Sequence, residues 1–157
     1  MANPEYYALL QSGSDGPDVA LIQIWLNGIR GNCLNYPVLT VDGKFGSGTE
    51  RAVRQFQMQS NLTSDGKVGK NTWDALYNRY ILNHSAAQQY PGIPMRSGDR
   101  GATVKSAQLK LNSKGSTLTA DGKYGSKTVT AVRNFQSTNG LGVDGVIGQS
   151  TWARLYA

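Results

Sequence analysis

Asp42-Gly43-Lys44-Phe45-Gly46-Ser47-Gly48-Thr49 recurs three more times in this chain. The other copies are Asp65-Gly66-Lys67-Val68-Gly69-Lys70-Asn71-Thr72, Asp121-Gly122-Lys123-Tyr124-Gly125-Ser126-Lys127-Thr128 and Asp144-Gly145-Val146-Ile147-Gly148-Gln149-Ser150-Thr151. The shared phrase is Asp-Gly-x-Φ-Gly-x-x-Thr, with Φ aromatic or aliphatic. Asp-Gly marks a tight turn, since the carboxylate bonds nearby backbone N–H groups and glycine accepts a positive φ. Φ is then a single apolar plug, and the second glycine lets the chain turn sharply into a helix. Each copy holds one carboxylate, whereas a calcium loop needs several oxygen ligands, so the phrase does not read as a metal loop.

The copies are of two kinds. Ala-Val-x-x-Phe-Gln follows Thr49 and Thr128 (Ala52 to Gln57; Ala131 to Gln136), and Trp-x-x-Leu-Tyr runs from Trp73 and from Trp152. The larger unit is thus a pair of phrases, and the chain holds two units. Length alone suggests one domain. The duplication divides the chain into a lead-in (1–11), repeat one (12–80), a linker (81–95) that carries Pro91 and Pro94 and reads as stiff, and repeat two (96–157). Domains of this size fold alone only marginally and enclose no deep cavity, so a ligand site is expected in a shallow groove.

Within each repeat, one helical face recurs first. Val19, Ile22, Gln23 and Leu26 stand at i, i+3, i+4 and i+7, and Val104, Gln108 and Leu111 match them. A second helix buries Thr49, Ala52, Val53 and Phe56, with Ser47 and Glu50 spaced as a capping box. A third runs from Thr72 to about Tyr80. The extended pieces are too short for a sheet. The expectation is an all-α chain of two tandem three-helix bundles with Asp-Gly turns between the helices. The loop 28–41 of repeat one is six residues longer than its counterpart.

The net charge is +6, and it is uneven: seven Lys/Arg face six acids over 12–80, against nine and three over 95–157. Such a balance suits solubility or an anionic partner. One cysteine, Cys33, excludes an intramolecular disulfide, and with one histidine, His84, no zinc cluster can be assembled from Cys and His. No apolar run spans a membrane. The start, Met1 to Tyr7, lacks the regions of a signal peptide, which reads as an unusual route of export or a fragment of a longer protein. Enzyme chemistry finds little footing. Glycoside cleavage uses two flanking carboxylates. The glutamates are Glu5 in the lead-in and Glu50 in the capping box, and seven of the eight aspartates have local structural roles, leaving Asp74. A nucleophile pair would need Cys33 and His84 to meet from a loop and a linker.

The ordered pattern Gly-x-x-Val-x-x-x-Gln-x-x-Leu-Asn, then Asp-Gly-x-Φ-Gly-x-x-Thr-x-x-Ala-Val-x-x-Phe-Gln, then Asp-Gly-x-Φ-Gly-x-x-Thr-Trp-x-x-Leu runs from Gly16 to Leu76 and from Gly101 to Leu155. It resembles the peptidoglycan-binding domain of bacterial cell-wall hydrolases, twice over, and covers most of the chain. The resemblance implies a non-catalytic wall-anchoring module without cofactor or metal. Its partner would be the glycan strand or stem peptide of peptidoglycan, and it would serve a hydrolase in cis or in trans at the cell envelope, spore cortex or coat. The long loop, and Thr63-Ser64 where repeat two has Gly142-Val143, depart between repeats and put equal ligand preference in doubt. A docking or regulatory domain is the alternative. Nucleic-acid binding is not expected, because no helix carries a Lys/Arg stripe.

For the site, Arg54 and Arg133 lie about 140° around the helix from the buried threonine. They are free to clamp a carboxylate or to pair with a neighbour. Lys44 and Lys123 stand beside the first turn of each repeat. Gln57 and Gln136, like Gln23 and Gln108, sit at the edge of apolar faces, where an amide either bonds a loop backbone or reaches ligand. Trp73 and Trp152 are core residues or edges for stacking. The expected site is a shallow groove in each repeat between the first Asp-Gly turn and the second helix.

Overall fold

The computed structural model describes residues 5–31, 34–84 and 90–157. Its helices are α1 (Pro17–Gly28), α2 (Ser47–Gln59), α3 (Lys70–Ile81), α4 (Ala102–Ser113), α5 (Ser126–Thr138) and α6 (Gln149–Leu155). Three helices belong to each repeat. Among the described residues there is no strand longer than an isolated bridge. The chain is all-α, in two three-helix halves.

Each helix of the second and third kind starts inside the phrase, directly after its second glycine. Gly46, Gly69, Gly125 and Gly148 are the N-caps of α2, α3, α5 and α6, all in extended conformation. The capping box expected from Ser47 and Glu50 does not form. Ser47 is already the first helical residue and makes no capping bond, and Glu50 faces Arg54 one turn on, at 3.6 Å. The phrase stops the preceding turn with glycine, which displaces the hydroxyl from the cap position. The plugs Phe45, Val68, Tyr124 and Ile147 are all buried.

Two apolar clusters form the core. Repeat one gathers around Trp25, Phe56, Trp73 and Leu76, with Trp25 edge-on to Trp73 at 4.8 Å between centroids. Repeat two gathers around Val104, Leu111, Val132, Trp152 and Leu155. Segments outside the expected repeat boundaries join these cores. Leu10, from the lead-in, is buried and pairs its backbone with Val68. Met95, from the expected linker, is buried and pairs in the same way with Ile147. Tyr6 and Tyr90 meet Trp73 and Trp152 edge-on. Each Φ position of a second phrase carries free backbone groups, and an extended segment upstream of the repeat satisfies them. Residues 1–4 of the lead-in, Cys33 in the long loop, and 85–89 of the linker lie outside the described residues.

The halves touch through equivalent surfaces. Asp18 of α1 is buried, and its carboxylate accepts from the backbone N–H of Ala102 (2.7 Å) and Thr103 (2.9 Å) and from the Thr103 hydroxyl (2.8 Å). It is a cap supplied to α4 by the other repeat, and the helix dipole favours an anion there. Position 18 corresponds to 103, so the contact joins like to like, as in a two-fold interface. The flanking contacts are reciprocal. The Tyr7 hydroxyl donates to the carbonyl of Asp121 in the turn of repeat two, at 3.1 Å. Ile93, in turn, lies over Gly43 in the turn of repeat one, where an added β-carbon would stand 2.7 Å from its Cδ1. Lys105 pairs with Glu5 at 3.0 Å.

Candidate functional site

The repeated phrase is held by a repeated clamp. In the first turn Asp42 Oδ1 accepts the N–H of Lys44, and Gly43 takes φ 72°, which a side chain would strain. Gln23 of α1 then reads the turn from inside. Its Oε1 accepts the N–H groups of Asp42 and Gly43, and its Nε2 lies 3.0–3.1 Å from Asp42 Oδ1, the Lys44 carbonyl and Thr49 Oγ1. Gln57 of α2 does the same for the second turn, reaching Asp65, Gly66, Lys67 and Thr72. Gln108 and Gln136 repeat both clamps in repeat two. All four glutamines and all four threonines are buried. Within each repeat, the first and second helices therefore each fix the turn that starts the next helix.

The clamps set the electrostatics of the turns. The N–H of residue i+2 holds the carboxyls of Asp42, Asp65, Asp121 and Asp144 below the usual carboxylate range. The clamping glutamine amide adds to this. Each turn thus carries a fixed, exposed negative charge beside an exposed lysine or arginine.

Of the side chains singled out from sequence, Gln57 and Gln136 are thus committed inside the fold. Trp73 and Trp152 are buried as well, 1% and 5% exposed, in the aromatic clusters with Tyr6, Trp25 and Tyr77 on one side and Tyr90 and Tyr156 on the other. Lys44, Lys123, Arg54 and Arg133 are exposed. They do not share one turn. The lysines belong to the first turn of each repeat, whereas Arg54 donates to the Ser64 carbonyl, at 2.9 Å, beside the second turn. Arg133 likewise lies near Gly145 of the second turn, where an added β-carbon would stand 3.1 Å from its Nε.

A groove of about 830 Å³ opens elsewhere on repeat two. It runs between the short loop after α4 and the outer face of α5, and it ends at α6. Leu118, Ala131 and Phe135 supply its apolar surface, and Lys114, Lys127 and Arg154 its charge. No aspartate or glutamate side chain lines it. Arg154 is oriented by Asn139, whose Oδ1 accepts from its Nε at 3.1 Å. Sequence reading missed this groove. The signal was the loop length: only the short loop of repeat two leaves the α5 face uncovered. Among the described residues, no group of three or more His, Cys, Asp or Glu stands close enough to hold a metal.

Two small helical units, each wired by two glutamine clamps and joined back to back, define a duplicated module whose accessible features are a basic surface and an open groove. The chain belongs to the putative peptidoglycan-binding domain family, whose model matches residues 15–76 and 100–155. It is 30% identical over 161 residues to a probable N-acetylmuramoyl-L-alanine amidase of Bacillus licheniformis, covering 95% of this chain and 45% of that protein. It is 33% identical over 114 residues to the N-acetylmuramoyl-L-alanine amidase CwlM of Mycobacterium tuberculosis, covering 71% and 27%. A solved peptidoglycan-binding protein from Clostridioides difficile is 42% identical, with 41% of each chain covered and a TM-score of 0.41. The chain spans less than half the length of the two amidases.

Proposed function

We propose that this chain binds bacterial peptidoglycan without cleaving it and anchors a cell-wall hydrolase, joined in cis or recruited in trans, to its polymer in the envelope or the spore cortex or coat. The observation that carries this reading is the double family match over 15–76 and 100–155, each copy retaining the full clamp. The phrase aspartates and Asp18 are engaged in turns and a cap, Glu5, Glu50 and Asp74 pair with lysine or arginine, and the polar groups of the clamps are buried, which supports a holding role. Exposed Arg54, Arg133, Lys44 and Lys123 supply general attraction to the anionic groups of the wall. That part of the binding is sensitive to salt.

The test is co-sedimentation with purified sacculi freed of teichoic acid, at low and high salt, with a release assay for soluble muropeptides in the same tubes. Retention at high salt with no release is expected. Loss of all retention at high salt would leave only the +6 charge as the attraction and would reopen the docking reading. Release of muropeptides would overturn the non-catalytic role.

A further inference from the structure

Resting on the wall-binding reading, we infer that the two repeats bind unequally: the groove of repeat two takes the carboxylates of the stem peptides, and repeat one takes no ligand at the corresponding place. The helices superpose in sequence position by position, so the groove has a definable counterpart. Asn27 and Asn112 each bond both backbone groups of a leucine, Leu39 and Leu118, and so fix the two ends of the variable loop in the same way. Between those ends repeat one carries six extra residues.

That extra length turns inward over α2. Leu34 and Tyr36 are each 2% exposed and belong to the core of repeat one, and the Tyr36 hydroxyl donates to the Leu26 carbonyl at 2.7 Å. The backbone N–H of Asn35 donates to Gln55, the counterpart of groove residue Asn134. Phe56 is accordingly 1% exposed, whereas its counterpart Phe135 remains only partly buried and lines the groove. Repeat one has filled its groove with its own chain.

The charges diverge in the same place. Lys114, Lys127 and Arg154 correspond to Ile29, Gly48 and Ala75, so no groove cation has a charged counterpart in repeat one. Neither groove lysine is paired with a carboxylate among the described residues. Two lysines with no carboxylate partner among the described residues, Arg154 held in place by Asn139, an aromatic ring and the amide of Asn134 suit a short peptide that carries carboxylates and small apolar side chains. The guanidinium clamps a carboxylate through two parallel bonds, and the amide meets the peptide backbone. Neutral sugar hydroxyls would leave these charges unanswered.

The experiment uses the whole chain and two soluble probes: a disaccharide-tetrapeptide, and glycan strands stripped by an amidase. The stripped strands keep a lactyl carboxylate on each muramyl sugar, so they retain charge but lose peptide. The expected result is that Lys127→Ala with Arg154→Ala weakens muropeptide binding about tenfold or more. Amide shifts of 114–118 and 126–138 move on titration while those of 47–59 stay still, and stripped glycan binds weakly. A control with Arg51→Ala and Arg79→Ala in repeat one keeps wild-type affinity, and an unchanged melting temperature certifies the fold of both variants. Undiminished muropeptide binding by the groove variant, shifts centred on 47–59, or equal affinity for stripped glycan would each overturn the inference. In those cases wild-type retention on sacculi still stands as evidence for wall binding, so the two claims fail separately.

Discussion

At the scale of single residues, the clamp glutamines do what a backbone ladder does elsewhere. A Gln57→Ala change leaves the buried Gly66 N–H and the buried Thr72 hydroxyl without their partner, and the part-buried Lys67 carbonyl too. Each such orphan costs on the order of 1–3 kcal/mol. We expect Gln57→Ala, and equally Gln136→Ala, to lose about 2–3 kcal/mol in urea titrations; a loss below about 0.5 kcal/mol would show that water replaces the clamp. Arg54 and Arg133 behave differently because they are exposed. Changing both to alanine should weaken sacculus binding at low salt and leave the melting temperature within a degree or so, since exposed pairs are worth little. Unchanged binding would remove them from the contact surface.

The pH response also originates in single carboxyls. The four turn aspartates are held below their ordinary value chiefly by the N–H two residues on. A lowered folded pKa contributes stability that is present above the unfolded value and is lost as pH falls through the folded one. Asp18 has the opposite sign: burial raises its carboxyl against the pull of its three donors, so ionising it costs stability as pH rises through that raised value. Stability should therefore decline as pH falls below about pH 4, the ordinary carboxylate range, and should also decrease above that range as Asp18, and Asp99 which burial raises in the same direction, become ionised. Asp18→Asn should reduce the decrease above that range in a series of melting curves and leave the decline below it intact. A wild-type curve that climbs steadily from pH 4 to 8 would contradict the assignment of Asp18.

At the scale of elements, the chain's helices begin at glycines and depend on borrowed partners. The start of α4 shows this most clearly, because its first N–H groups are satisfied by a side chain 84 and 85 residues upstream. Asp18→Ala should cost about 1–2 kcal/mol, the usual worth of a helix cap. It should also speed amide exchange at Ala102 and Thr103 more than at the clamped turn of Gly145. Equal acceleration at both places would mean global loosening and not loss of a cap.

Most of these elements were legible in the sequence for a physical reason. Φ plugs, N-cap glycines and apolar faces are local constraints written at fixed spacing, and the four phrases located four of the helix starts, those of α2, α3, α5 and α6. Two features were not legible. Ser47 and Glu50 have the spacing of a capping box, but Gly46 takes the cap, and spacing alone does not say which residue the helix starts on. The roles of Leu10, Met95 and Asp18 depend on long-range partners, Val68, Ile147 and Thr103, that no local pattern announces.

At the scale of the whole molecule, duplication has produced two copies that differ where it matters for ligand. The clamps are the same in both, so the fold is the same. The loops are not: among the described residues a groove opens on repeat two, and Leu34 and Tyr36 fill the corresponding place in repeat one. In the sequence the exposure of Lys44, Lys123, Arg54 and Arg133 was legible, but not that the lysines and arginines stand beside different turns. The groove itself was not, because an open surface is defined by a loop that is too short to cover it, and only the comparison of the two folded loops shows that. A chain with one recognising repeat and one closed repeat gains little from avidity. The closed repeat instead contributes Asp18 and Tyr7, which hold the α4 start and the Asp121 turn of its neighbour.

Whether this chain holds the wall through a specific site is decided by one binding isotherm: the whole chain on teichoic-acid-free sacculi at high salt, where screening removes the general attraction. Saturable retention that a soluble muropeptide displaces is expected. Retention that disappears with salt, or that persists unsaturated and without displacement, would contradict a specific site.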